Sequence, residues 1–466
     1  MDAAEPTDAR DHAAEVGGAA RRRIARYDTG PPSQGRSTQS KQQPRMTQGT
    51  ATPITAMSLR SATVLLLQMA RASAAAALET SYPVPTALPP HSWDSVGQKL
   101  FIHGCKKDGL FNSSELALAA KYALMTVEKG QGLDLPGFAD DKMAAIARQW
   151  KEARRARKLP DGWALFYINA HFDWPFFAIH TQMETHPTWA VQANNAVTGD
   201  PCLQHGDPTF PQPTEGMLLF NHSRKDVRAA FVNACVNATK HGFDGCFIDS
   251  AAPATGAALT GYATRCNTSV EAVQAVADGK VEVMAELQEA VGDAKLIVAK
   301  DSYEGGSEQQ VNTIFPLDTF CSCYTCNWTS THNPQFRTAQ TTYADVCQTQ
   351  ILEAIKLGKR GQVVLLHGEV NSALIGDDAA LAADFEFALA AFLVAASDTS
   401  FFGYSNGWYY SGTEWHDEYD FKLGAPSGPA VQGTGVANMT WFREFHSGTT
   451  VRLDVLHKRA VIEWAH

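Results

Sequence analysis

From residue 99 onward, short continuous apolar runs alternate with longer amphipathic stretches. Residues 99–104 predict a first strand. A helix follows from Ser114 to about Lys121, with Asn112 or Ser113 as its cap. Residues 123–128 predict strand two. Residues 142–158 predict a helix with one apolar side and Arg154, Arg155, Arg157 and Lys158 late in it, where cations suit the C-terminus. The pattern continues with strand three at 164–169, a helix at 226–240, strand four at 245–249 and a long helix at 269–291. Strand five spans 295–300, and a weaker strand six spans 311–315. A helix at 343–357, strand seven at 362–367, a buried helix at 377–396 and strand eight at 400–404 complete the series.

Uninterrupted apolar strands separated by helices mean a parallel sheet buried on both faces. Eight such units predict an α/β fold, a (β/α)8 TIM barrel over residues 95–440. A doubly wound sheet is the competing arrangement, but no Gly-rich phosphate turn follows the first strand. Residues 449–455 and 459–464 predict a short C-terminal β extension, a hairpin within 441–466, with a remnant of a β accessory domain as the alternative.

The text before the barrel differs. Residues 1–56 have no apolar periodicity and too little apolar content to offset chain entropy. Met57 to Arg60 then forms a short basic start, residues 64–70 an apolar core, and residues 72–77 a small-residue stretch. This layout predicts a signal peptide at 57–78, with translation starting at Met57 or Met46 and residues 1–56 an upstream extension. A low-complexity tail ending in an Ala-rich helix is the alternative. A Pro-rich linker, 79–94, leads into the barrel. The apolar run is too short for a membrane span, and Arg71 interrupts it.

The formal net charge of -10 argues against a nucleic-acid partner. Nine cysteines, all from Cys105 onward, combine with Asn-x-Ser/Thr sequons at Asn112, Asn221, Asn237, Asn267, Asn327 and Asn438. With the leader-like segment, they predict a secreted glycoprotein with disulfides.

Catalytic groups of such barrels stand at the C-terminal ends of strands. Here those positions hold His103, Glu128 and Lys129, Asn169, His171 and Asp173, Asp249, Lys300 and Asp301, Asp318, His367 and Glu369, and Tyr404 and Asn406. Paired carboxylates supply acid, base and nucleophile chemistry, while amides, imidazoles and aromatics hold hydroxyls and ring faces. A carbohydrate substrate is the partner this pattern predicts. His103, Glu128, Asn169, His171, Asp301 and Tyr404 are the expected substrate-binding residues, and no metal or cofactor is expected. The alternative for Asp249 is a rim carboxylate pairing with a lysine such as Lys300. An inactive barrel that only binds carbohydrate is the competing function, and a lyase or isomerase using Lys300 is a weaker third.

The most specific string is Gly242-Phe243-Asp244-Gly245-Cys246-Phe247-Ile248-Asp249. It resembles the Gly-Phe-Asp-Gly text at strand four of several hypothetical glycosyl hydrolase barrel families. Tyr419-Asp420-Phe421-Lys422-Leu423-Gly424-Ala425-Pro426 and Arg443-Glu444-Phe445-His446-Ser447-Gly448 resemble the signatures that follow strand eight there. The order agrees from about residue 95 to 466. The chain therefore resembles a hypothetical glycosyl hydrolase family, similar in pattern to endo-α-1,4-polygalactosaminidases and, more distantly, to α-galactosidase-like barrels. That resemblance implies a nucleophile at Asp249 and an acid after strand six, at Asp318. The chain departs from the pattern there, because Cys321, Cys323 and Cys326 follow closely; Glu369 is the rival acid. Asp244 is expected to stabilise the turn into strand four. Asparagine is nearly isosteric with aspartate, so Asp249→Asn is expected to abolish hydrolysis with the thermal midpoint nearly unchanged.

The Cys321, Cys323 and Cys326 cluster, with Cys347 or His332 near in sequence, has metal-ligand chemistry. In a secreted chain disulfides are the expected use, with connectivity not readable from sequence.

Overall fold

The computed structural model describes residues 82–193, 201–204, 217–300, 306–316, 319–322, 342–407, 410, 413–435 and 438–465. The chain divides into Met1–Leu78 and Glu79–His466. The first unit, with the expected leader, lies outside the described residues.

Eight strands pair in parallel in chain order: β1 (Phe101–Gly104), β2 (Leu124–Val127), β3 (Trp163–Asn169), β4 (Gly245–Asp249), β5 (Leu296–Lys300), β6 (Thr313–Phe315), β7 (Val363–Glu369) and β8 (Ser400–Ser405). A parallel bridge between Leu100 and Phe402 brings β8 back to β1 and closes the sheet. This is the expected (β/α)8 barrel. Beneath the closure, the buried Lys99 ammonium donates to the carbonyls of Ser397 at 3.2 Å and Asp398 at 2.7 Å.

The surrounding helices are α1 (Ser113–Ala119), α2 (Ala139–Ala156), α3 (Ala178–Thr185), α4 (Lys225–Lys240), α5 (Gly256–Arg265), α6 (Val270–Val291), α7 (Tyr343–Lys359) and α8 (Asp378–Ala395). Asn112 caps α1: its side chain accepts from the Ser114 and Glu115 amides, and Glu115 answers at the Asn112 amide, 2.7 Å away. Ser269 caps α6 in the simpler way. The short helices α3 and α5 carry no strong periodicity, and the sequence pattern does not predict them. They form because tertiary packing covers them.

Where the pattern predicts a two-strand hairpin from residue 441, the structure has a four-stranded antiparallel sheet. Its strands are β9 (Val431–Gln432), β10 (Thr440–Glu444), β11 (Thr450–Asp454) and β12 (Arg459–Glu463). The inward side chains of β10 are Trp441 and Arg443, and the arginine hides the apolar alternation. Arg443 is buried because its guanidinium donates to the carbonyls of Leu393, Val394 and Ala396 at the end of α8. From Phe385 onward α8 is buried on nearly every side except at Glu386, with the barrel on one flank and this sheet on the other. Its missing amphipathicity follows from that double packing.

Three disulfides staple the described chain: Cys202–Cys266, Cys235–Cys246 and Cys321–Cys347. They fit a secreted protein. Cys235–Cys246 ties α4 to β4, and Cys321–Cys347 ties the segment after β6 to α7. Cys323, Cys326 and His332 lie outside the described residues. No described helix is long and apolar enough to cross a membrane.

Candidate active site

The Gly-Phe-Asp-Gly string sets β4 in place. Asp244 accepts from the Ala164 amide at 2.9 Å and from the Lys151 ammonium at 2.5 Å, latching β3 and α2 to the start of β4. A side chain at Gly245 would put its Cβ 1.9 Å from the Leu296 carbonyl oxygen, so only glycine lets β4 and β5 approach. Strand alternation then separates the faces. Cys246 points outward to α4, while Phe247 and Asp249 point into the barrel.

An aromatic floor lies below the mouth. Phe247 and Phe315 meet edge-to-face at 5.2 Å, Phe101 contacts Phe315, and Tyr167 stacks on Phe247. Above it sits a buried polar network centred on Asp249. Its Oδ1 accepts from the Lys300 ammonium at 2.8 Å, and its Oδ2 accepts from the Asn169 amide at 3.0 Å and from the Tyr167 hydroxyl. The side-chain oxygen of Asn169 accepts from the His171 and Phe172 amides, which fixes the orientation of its side chain. Burial pushes the Asp249 carboxyl up, but Lys300 and Lys129, with hydrogen bonds from Lys300 and Tyr167, outweigh it and hold the group well below the usual carboxylate range.

Glu128 is the second buried carboxylate. Its Oε1 lies 2.8 Å from His103 Nε2, and its Oε2 accepts from the Lys129 ammonium at 2.9 Å and the Lys129 amide at 3.0 Å. Burial raises this carboxyl, and Lys129 and His103 more than reverse it. Burial would lower Lys129, yet Glu128 and Asp249 raise it. The Lys129 ammonium also lies over the rings of Tyr167, at 4.7 Å, and Trp174, at 5.4 Å. Both carboxylates are therefore anions in this network, and neither holds a proton to give.

The turn after Asp249 is sharp. Ser250 takes a left-handed backbone, φ 54°, and the Lys280 ammonium of α6 binds the Ser250 and Ala252 carbonyls at 3.1 and 3.3 Å.

Of the residues expected from sequence, the structure brings His103, Glu128, Asn169 and Asp249 into one network. His171 stands beside it, its ring 5.2 Å from that of Tyr262. Burial, Lys280 and Arg265 push the His171 imidazole well below its usual value, so it is neutral. Glu369 ends β7 half-buried, opposite Ser405 of β8, with its amide on the Ser322 hydroxyl at 2.7 Å. Near it His367 Nε2 meets the Ser405 hydroxyl at 2.8 Å. Tyr404 is placed elsewhere: it packs on Phe385, and its hydroxyl donates to Asp384 of α8 at 3.2 Å. Asp301 and Asp318 lie outside the described residues. Sequence reading missed Tyr167, which was findable, since it precedes Asn169 by two and so shares its face; it placed Lys129 at the end of strand two without giving it a role. Among the described residues, no group of three or more His, Cys, Asp or Glu side chains is placed to hold a metal ion.

One sequence-family profile matches residues 159–449, a stretch that carries Tyr167, Asn169, Asp249, Lys300 and Glu369. The class this match and the barrel define is the TIM-barrel glycosidases, enzymes acting on carbohydrate. The chain belongs to hypothetical glycosyl hydrolase family 15. No curated protein matches it. Among solved structures, it is similar to the glycoside hydrolase domain of PelA from Pseudomonas aeruginosa, at 11% identity over 66% of this chain and 93% of that one, TM-score 0.38. It is also similar to the trehalose-6-phosphate hydrolase of Bacillus licheniformis, at 10% identity over 67% and 65%, TM-score 0.41. The α-galactosidase of Thermus thermophilus follows at 13% identity over 61% and 52%, TM-score 0.36. Likeness this distant carries no substrate from those proteins to this chain.

Proposed function

We propose that the chain is a secreted glycoside hydrolase that cleaves O-glycosidic bonds of a polysaccharide or glycan by a two-carboxylate mechanism. The observation that carries this reading is the buried Asp249 carboxylate at the end of β4, paired with Lys300 at 2.8 Å and hydrogen-bonded by Tyr167 and Asn169, surroundings that favour its charged form. An oxocarbenium-like transition state needs a fixed anion beside it, and Asp249 is that anion, acting as nucleophile or base. Glu128 is the more enclosed of the two carboxylates, its side chain 4% exposed against 13% for Asp249, and it serves to hold His103 and Lys129. The acid then comes from Glu369 or Asp318, with Glu369 supported by its place at the end of β7. In this reading His103, Glu128, Asn169 and His171 belong to the substrate side, and Asp301, outside the described residues, is assigned there from its place in the sequence after β5. Tyr404 has its hydroxyl on Asp384, so it is left out of this reading.

A leader at 57–78 and glycosylation belong to the same proposal. Exposed sequon asparagines at 112, 237, 267 and 438 support the second. A panel of aryl glycosides and polysaccharides, run with the parent chain and Asp249→Asn, tests the activity. Hydrolysis by the parent alone supports the reading; equal hydrolysis by both removes Asp249 from it.

A further inference from the structure

The backbone that follows Asp249 is gripped from two sides. Ser250 is left-handed, at φ 54°, a conformation that is costly for a non-glycine residue and persists only where its surroundings over-determine it. Three successive carbonyls beyond Asp249 are bound by side chains from elsewhere in the fold. The Lys280 ammonium of α6 donates to those of Ser250, at 3.1 Å, and Ala252, at 3.3 Å. The Ser307 hydroxyl, from the segment between β5 and β6, donates to that of Ala251 at 3.0 Å. Ser307 is fully buried, and Lys280 is only 6% exposed.

Packing sets Lys280 in place. Its neighbour Gly279 lets α6 lie against the segment that leads into α4: a Cβ there would stand 2.0 Å from the His222 carbonyl oxygen. Arg228 of α4 joins the same parts. Its guanidinium donates to that His222 carbonyl at 2.8 Å and pairs with Glu286 at 3.0 Å and Glu282 at 2.8 Å, both on α6. Lys280 therefore reaches the turn from a fixed point.

The turn is joined to the catalytic network. Asn169 donates to the Asp249 carboxylate at 3.0 Å and to the Ser250 hydroxyl at 3.4 Å, and the Ala170 amide donates to the Asp249 carbonyl at 2.9 Å. A rotation at Ser250 would swing the peptide that carries Asp249 against these partners. A buried ammonium is also a costly way to fill space, since an apolar side chain would pack α6 on the barrel without desolvating a charge. What the charge adds is the grip on two carbonyls.

We infer that Lys280, with Ser307, is a positioning residue for Asp249: together they hold the strained turn at Ser250, and the turn holds the carboxylate in its working geometry. This rests on the glycosidase reading of Asp249. It extends the catalytic apparatus to α6, whose lysine acts through the backbone and not on the substrate.

Lys280→Met in the full secreted chain is the test. Rates taken well below the thermal midpoint should show kcat lowered about a hundredfold, the cost of misplacing a reacting group by about 1 Å, with KM within about threefold of the parent. Ser250→Gly added to Lys280→Met should recover about tenfold of that loss, because glycine adopts the left-handed conformation without a clamp. A helix-packing role would lower the midpoint and leave a glycine at position 250 nothing to recover. Crystal structures of parent and variant give a readout apart from activity: in Lys280→Met, Ser250 should leave the left-handed region and the Asp249–Lys300 contact should lengthen. Should Lys280→Met fail to fold, Ser307→Ala, which removes one hydroxyl, is expected to lower kcat about fivefold at unchanged KM. Parent-like kcat in the variant that folds, or a loss in Lys280→Met that Ser250→Gly does not relieve, overturns the inference and leaves the glycosidase reading standing. If the parent cleaves no glycan, the glycosidase reading falls and the crystal geometry alone decides: an unmoved turn at Ser250 overturns the inference.

Discussion

Replacing Asp249 by asparagine keeps the shape of the side chain and removes its charge, and the structure shows what that charge holds. Lys300 sits 2.8 Å away, and the two side chains are only 14% and 13% exposed. Taking one member from a buried ion pair costs about 3 kcal/mol here, the low end of the usual range, because some water still reaches both groups and Lys300 keeps further interactions. Residues 79–466 form one unit. At about 2.1 cal/mol/K per residue its unfolding entropy is roughly 0.8 kcal/mol/K, so the midpoint should fall by about 4 °C. The isosteric exchange alone predicts no change; the ion pair alters that expectation. The loss in rate should be far larger, about three powers of ten or more, equivalent to about 4 kcal/mol of transition-state stabilisation. Initial rates on any substrate the parent cleaves, with calorimetry on the same samples, measure both. Asp249→Asn combined with Lys300→Met separates the roles of the carboxylate. Removing the cation as well should restore part of the midpoint while the enzyme stays inactive. Wild-type rates in Asp249→Asn, or activity regained in the double variant, would refute the assignment. The pH dependence has a definite sign. The folded carboxyl lies below its unfolded value of about 3.9, so its contribution is whole above that pH and is lost as pH falls further. The midpoint gap between parent and variant should shrink only below about pH 4.

Three other outcomes are expected. Glu369→Gln should slow hydrolysis of poor leaving groups by about a hundredfold or more and hardly affect activated aryl glycosides, the signature of a general acid; a uniform effect would assign Glu369 to binding. Non-reducing peptide mapping should recover Cys202–Cys266, Cys235–Cys246 and Cys321–Cys347, and loss of the first should cost about 4 kcal/mol on the chain-entropy estimate for its 64-residue loop. Amino-terminal sequencing of secreted material should begin near residue 79; a mature protein that keeps Met1 would overturn the leader and the compartment together.

The barrel was legible in the sequence because each strand is a short, largely apolar run, and α2, α4, α6 and α7 between them are amphipathic. Asn112 and Ser269 sit where capping chemistry puts them, and Gly245-to-Asp249 is a strand in both readings. The rim position of Asp249 follows from the same logic, since the end of a barrel strand is its mouth. Other features are not local. α3 packs through Ile179 and Met183 on the barrel core and α5 packs on the insertion after β3, while β10 hides its period behind Arg443, whose partners are carbonyls about 50 residues away. The fate of the strand-end residues was also decided in three dimensions. Glu128 and Asp249 look equivalent in sequence, yet one is held by His103 and Lys129 and the other by Lys300, Tyr167 and Asn169. Tyr404 and Asn169 both lie near strand ends, but only Asn169 faces the barrel axis. Sequence period tells which residues alternate. The closure of the sheet decides which face is inside, and therefore which charges meet.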